Sequence, residues 1–241
     1  QSRHGTFPNP WGTGVLTSVD GYYAFEGRVS TLFGGGIASY RVLSALLGIV
    51  TVLAVWRLGR RVLGETAGLV AMAVVAFLPL HLWASRIALD NVSHAAEAAV
   101  LLWLLDRAVV GRRRADAVGA GLVVGFGVYG YFGGSIFLVV ALAVLVAVAL
   151  LPAYEIRWRG AASIAGWVVL GALVVAAPLL GHYAANPDRF SGRAKEVSGA
   201  AATVGGRART VLDGALFPVL DRHGAFGDFY RVDGPFLGWV L

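Results

Sequence analysis

His81, Arg86, Asp90, His94 and Glu97 are the residues best suited to chemistry in this chain. They fall within a short polar hinge and the start of the helix that follows it. Arg86 and Asp90 stand four residues apart in His81-Leu82-Trp83-Ala84-Ser85-Arg86-Ile87-Ala88-Leu89-Asp90-Asn91, between two long apolar runs. A guanidinium can grip an anionic headgroup bidentately, and a histidine or carboxylate beside it can steer a proton. Asp90, His94 and Glu97, at i, i+4 and i+7, share one helix face. Glu97 then lies about 10 Å along the axis from Asp90, at a depth where a carboxylate faces a cavity or a partner. A structural reading stands beside the chemical one. In it Arg86 snorkels to lipid headgroups, and Asp90 or Asn91 caps the helix that begins near Val92.

Other motifs carry less. His81, Asp90, His94, Glu97 and His182 can all approach one membrane face, but their spacing matches no compact ligand motif, so no metal and no cofactor is expected. Gly125-Phe126-Gly127-Val128-Tyr129-Gly130 spells G-x-G-x-x-G, yet it lies in an apolar span and not after a strand of a soluble βαβ unit. Glycines there allow close helix packing. Tyr129 and Tyr131 read as interfacial anchors or as lining of an outer cavity. The sequon Asn91-Val92-Ser93 overlaps a helix start and is given no weight. Arg112-Arg113-Arg114 is a topology signal first and a contact for anionic lipid second.

These residues need a membrane fold to hold them. The 241-residue chain is 57% hydrophobic and 14% charged, where soluble domains carry roughly a quarter charged residues. Its mean hydropathy is +0.70. Absence of cysteine excludes disulfides and thiolate metal sites. The net charge of +6 comes largely from arginines in short loops, which sets topology and does not indicate nucleic acid. The expected fold is all-α and integral to the membrane. About six transmembrane helices, near 37–58, 66–83, 92–110, 115–131, 135–151 and 161–181, each approach the roughly 20 apolar residues that a span requires.

Arg57, Arg60, Arg61, Arg107, Arg112, Arg113, Arg114, Arg157 and Arg159 fall in alternate loops, which the positive-inside rule assigns to the cytoplasm. The hinge at Arg86 and the turn at Tyr129 then face outward. So do the segment 1–36, with a juxtamembrane helix from about Ser18 to Phe33, and the C-terminal loop region 182–235. Residues 236–241 read as the start of a further span. With no Met or signal-like segment at Gln1, the chain is expected to be an interior piece of a longer protein.

The order of elements resembles the GT-C glycosyltransferases of the protein mannosyltransferase and aminoarabinose transferase type. The resemblance rests on Leu32-Phe33-Gly34, on Tyr40-Arg41-Val42-Leu43-Ser44-Ala45-Leu46-Leu47-Gly48, and on Leu58-Gly59-Arg60-Arg61-Val62-Leu63-Gly64 running into Ala67-Gly68-Leu69-Val70-Ala71. It continues through Leu78-Pro79-Leu80-His81, Ser85-Arg86-Ile87-Ala88-Leu89-Asp90-Asn91 and the turn Tyr129-Gly130-Tyr131-Phe132-Gly133. It implies a bilayer-embedded enzyme that moves a sugar from a polyprenyl-phosphate donor to an acceptor (protein, lipid or glycan) on the extracytoplasmic side of a bacterial or archaeal plasma membrane. It also implies metal-independent, inverting chemistry. Arg86 then neutralises the departing phosphate, and Asp90 orients Arg86 or the acceptor. His81, His94, Glu97, Tyr129 and Tyr131 line the substrate site. Asp20 and Glu26 do not match the family's outer-loop acidic motif, so the main general base is expected ahead of Gln1 and the piece alone is expected to be inactive. The competing readings are a transporter or lipid flippase with a His94–Glu97 proton relay, and a membrane scaffold docking through its C-terminal loop.

Overall fold

The computed structural model describes residues 21–88, 90–130, 134, 136–151, 154 and 156–185. They form α1 (Gly21–Leu32), α2 (Ile37–Leu63), α3 (Glu65–Phe77), α4 (Pro79–Ala84), α5 (Asn91–Gly111), α6 (Arg114–Gly127), α7 (Ile136–Leu150) and α8 (Trp158–Ala185), with no strand among the described residues. The described residues are all-helical. Of these helices, α2, and α8 as far as His182, are long and apolar enough to cross a membrane, while α3 and α7 are shorter apolar helices. Tyr131, the aromatic segment at 7–12 and the loop region beyond 185 lie outside the described residues.

The helices run alternately up and down, so one end of the bundle gathers the starts of α2, α5 and α7 and the ends of α6 and α8. The opposite end gathers the ends of α2, α5 and α7 and the starts of α3, α6 and α8. Gly64, at φ 95°, turns the chain between α2 and α3. A similar turn joins α5 to α6, where Arg112 takes a left-handed φ of 50°.

The expected span at 66–83 is divided. Proline disfavours helical geometry in the residue before it and has no N–H to donate. Leu78 is accordingly extended, at φ −62° and ψ 122°, and Pro79 opens the separate short helix α4. Elsewhere α2, α5 and α8 run beyond the expected spans, whereas α6 stops at Gly127, short of the expected 131, and α7 covers Ile136–Leu150 within the expected 135–151. In α2 the last turn includes Arg60 and Arg61, and α8 continues past the expected boundary at 181 to Ala185.

The core lies among α5, α6, α7 and α8, around Leu101, Leu105, Val124, Ala141, Leu145 and Val168. The glycines of α6 make it possible. A Cβ on Gly121 would strike the backbone of Val168 and lie 2.9 Å from Gly171 Cα, and one on Gly125 would lie 2.8 Å from Ala172 O. Small residues let two backbones approach this closely. The glycine-rich letters of the apolar run therefore serve α6–α8 packing.

Candidate functional site

The site is built where α1 crosses the end of the bundle. Residues four apart share a helix face, so Tyr22, Glu26 and Ser30 form the buried stripe of α1. The Tyr22 hydroxyl lies 3.1 Å from Ser44 Oγ, and the Ser30 hydroxyl donates to Ser39 Oγ at 3.5 Å, which ties α1 to α2. The Tyr22 N–H donates to the Tyr129 carbonyl at 3.2 Å, which ties α1 to the end of α6. Gly21 permits this last contact, because a Cβ there would lie 2.9 Å from the same carbonyl.

Glu26 is the residue that sequence reasoning passed over. It is only 3% exposed, and its Oε1 has no hydrogen-bond partner among the described residues. Burial pushes its pKa up to about 7; the neighbouring Tyr22 hydroxyl pulls back, and the charge of Asp90 pushes further up. A carboxyl poised there can exchange a proton near neutrality. An unmatched acidic residue in an interfacial helix gave one usable signal: it stands four residues from Tyr22 and from Ser30, on the only face able to dock. The partner helix and Asp90 are distant in sequence, so its burial was not local information.

Asp90 sits at the N-cap of α5 but makes no side-chain cap hydrogen bond there. Its carboxylate instead accepts from Tyr23, and desolvation, opposed chiefly by His94, raises its pKa. Burial likewise pushes the Tyr23 phenol up to about 12. Glu26 and Asp90 are thus two carboxyls close enough to feel each other's charge, with the Tyr22 and Tyr23 phenols as their respective hydroxyl partners. Arg86 is exposed on the hinge, and it and Asp90 form no ion pair.

The remaining expected residues divide between tethers and the α5 face. His81 Nε2 is 3.3 Å from the Gly48 carbonyl and fixes α4 against α2. The Tyr129 hydroxyl donates to the Val175 carbonyl at 2.9 Å, joining α6 to α8. His94 Nδ1 lies 3.3 Å from Glu97 Oε2 and 3.2 Å from Ser93 Oγ, and its ring meets Phe137 edge-on. Gly127 makes room for Glu97, whose Oε2 would be 3.1 Å from a Cβ at that position. Asp90, His94 and Glu97 therefore do follow one face of α5, as their spacing predicts. No group of three or more metal-ligating side chains is gathered among the described residues.

Beside this cluster, sharing Tyr22 with it, is a cavity of about 700 Å³ lined by residues of α1, α2, α5, α6 and α8. Its walls are mainly apolar, with Phe25, Leu47, Val100 and Phe126 among them, and Arg28, Ser93 and Glu97 supply polar groups. Arg28 is a cation that the sequence reading did not single out. Arg86, Asp90 and Glu26 do not line this space.

Two apolar helices of spanning length, with acids and a cavity collected at one end of the bundle, suit an integral membrane protein. More narrowly, the chain is a membrane glycosyltransferase of the GT-C type. A family model of dolichyl-phosphate-mannose-protein mannosyltransferases matches residues 23–182, and the chain belongs to that family. No curated protein and no solved structure matches it.

Proposed function

We propose that the protein transfers a sugar from a polyprenyl-phosphate donor to an acceptor on the extracytoplasmic side of a plasma membrane, with about six of its helices spanning the bilayer. The observation that carries the reading is the 700 Å³ apolar cavity with Tyr22 in its wall, the same Tyr22 whose hydroxyl meets the buried Glu26 near half-buried Asp90, in a chain of this family. The apolar walls suit the first isoprene units of the donor. Arg28, at the cavity, and Arg86, on the hinge, supply the positive charge that a phosphate leaving group needs.

In this mechanism the acceptor hydroxyl loses its proton as it attacks the anomeric carbon, and the bond from that carbon to the phosphate oxygen breaks. The phosphate departs as an anion stabilised by guanidinium. Glu26 does not line the cavity, but its hydrogen-bond partner Tyr22 does; the proton passes to Glu26 through the Tyr22 hydroxyl, and a base works best when its pKa is near the working pH. Asp90, held by Tyr23, keeps the pKa of Glu26 raised and helps to orient the acceptor. Glu26 is the candidate acid within the described residues, beside the expectation of a main general base ahead of Gln1. The arginine-rich loops support a cytoplasmic placement of the opposite end.

The test is transfer from a panel of polyprenyl-phosphate sugars by the full-length protein in membranes. Arg86→Lys keeps the charge but loses the bidentate grip, and kcat/KM for the donor is expected to fall about tenfold, the loss of one charge-assisted hydrogen bond. Absence of both transfer and donor hydrolysis across the panel sinks the reading. Unchanged donor kinetics in Arg86→Lys removes Arg86 from it.

A further inference from the structure

At the end of the bundle opposite Glu26 and Asp90 there is a second cavity, of about 370 Å³, between the α5–α6 turn and the start of α8. Five arginines line it: Arg112, Arg113, Arg114, Arg157 and Arg159. Ala117, Ile156 and Ile164, all buried, also line it and give it an apolar floor, with Trp167 half-buried beside them. The fold concentrates this charge deliberately. The left-handed backbone at Arg112 ends α5 and restarts the chain at once as α6, so three consecutive arginines meet the two that flank the first residue of α8.

Topology alone asks for arginines at this end, but not for their convergence on a concavity. The other basic side chains here show the difference. Arg61 pairs with Asp106, Arg60 is 3.5 Å from Glu65, and Arg107 is 3.0 Å from Asp116. Each of these three is answered by a carboxylate, and the pairs join α2 to α5, α2 to α3 and α5 to α6, while Arg57 lies over the Trp56 ring, away from the cavity. None of the five cavity arginines is within ion-pair distance of a carboxylate among the described residues. Glu155, in the α7–α8 connection, lies outside those residues. Arg114 is placed over the Trp167 ring at 5.6 Å, which leaves the guanidinium edge available for in-plane hydrogen bonds. The N-termini of α6 and α8 open at the same place, and their backbone N–H groups add positive potential.

We infer that this cavity is a binding site for a phosphate-bearing anion, separate from the transferase site. A planar guanidinium pairs bidentately with phosphate oxygens, and a cluster of them between helices is a recognised form of headgroup site. Two sources carry that chemistry: the headgroup of an anionic phospholipid, whose glycerol and acyl carbons the apolar floor accepts, and free inorganic phosphate.

Two probes distinguish them in the purified full-length protein. Retention of phosphatidylglycerol against phosphatidylcholine is read by native mass spectrometry, and binding of inorganic phosphate by calorimetry. The R113K/R157K/R159K variant keeps every charge that sets topology, and is expected to weaken the bound anion about tenfold, through loss of charge-assisted hydrogen-bond geometry. A companion R113Q/R157Q/R159Q variant is expected to abolish the preference for phosphatidylglycerol or the phosphate heat. Selective, variant-sensitive retention of phosphatidylglycerol assigns the site to lipid. Variant-sensitive binding of phosphate alone assigns it to the free anion. If neither anion binds in a way that responds to the lysine substitutions, the inference is overturned, whatever the glutamine variant does to folding.

Discussion

Acidic residues occur at both ends of this bundle, and the two ends treat them in opposite ways. At the end that carries the arginines, Asp116 is buried but gripped by Arg107 through both of its oxygens, at 3.0 and 3.3 Å, and Asp106 is gripped by Arg61. At the other end Glu26 is buried as deeply, yet the groups that act on it are the Tyr22 hydroxyl and the charge of Asp90. A buried carboxylate answered by guanidinium is a fixed ion and serves as a structural joint. A buried carboxylate answered only by hydroxyls and a second acid has its charged form penalised, and its proton becomes exchangeable near neutral pH. Burial alone does not identify a working acid. The partner does.

The comparison is most exposed to failure at Glu26. Glu26→Gln removes the proton acceptor while keeping the shape, and transferase activity is expected to fall by about 10²–10⁴-fold, the usual contribution of a general base. The wild-type rate should rise with pH through a pKa near 7 and then level off, and the residual rate of the variant should lack that limb. Stability should carry the same signature with the opposite sense. The folded pKa of Glu26 is raised above its ordinary value of 4.5, so the folded state holds a proton that the unfolded chain has released. Stability from this group is present below that ordinary value and is lost as pH rises through about 7. Thermal unfolding in detergent across that window checks it, and Glu26→Gln should flatten the slope. A variant that retains the acidic limb would mean that another group is the base.

Asp116→Asn tests the other half of the comparison, with an effect read in stability and not in rate. Losing the charged partner of Arg107 is expected to cost about 1–3 kcal/mol, measured by denaturant unfolding in mixed micelles. The pH–rate profile should keep its limb near 7. If Asp116→Asn moved that limb, the division between joint and working acid would fail.

How much of this was legible in the sequence depends on whether the information was local. The period of apolar residues and the arginine loops gave the helices and their alternation. The shared face of Asp90, His94 and Glu97 follows from spacing within a single helix, and it is present. The break at Leu78 was legible too, because Pro79 forces it, although the apolar run on either side hides it from a hydropathy reading. What was not legible is everything that depends on docking. Spacing could not reveal that Glu26 would turn toward Asp90, because the closure is made by Tyr22 to Ser44 and Tyr22 to Tyr129 across three helices. Arg86 and Asp90 invited the opposite error. Their separation by four residues suggested a pair, but the chain between them is hinge and not helix, so the periodicity that brings i and i+4 together does not operate. The arginines at 112–114 and 157–159 read correctly as charge, while their shared concavity needed α6 and α8 to pack.

The smallest expected effect probes how far the hydroxyl partners tune the acid. Tyr23→Phe removes the hydrogen bond to Asp90 and leaves the ring in place. A hydrogen bond to a carboxylate contributes about 1.5–3 kcal/mol, but this one acts on Asp90 and reaches Glu26 only through its charge, so the rate should change only a few-fold. The direction is informative. Tyr23 favours the ionised form of Asp90, and that charge in turn raises the pKa of Glu26. With Tyr23 gone, Asp90 holds its proton to higher pH and presses less on Glu26. The acidic limb of the pH–rate profile should therefore shift to lower pH, with kcat at alkaline pH affected least. A shift the other way would place Tyr23 against Glu26 itself, and a change in donor KM without any shift would make Tyr23 part of the substrate wall and not of the acid pair.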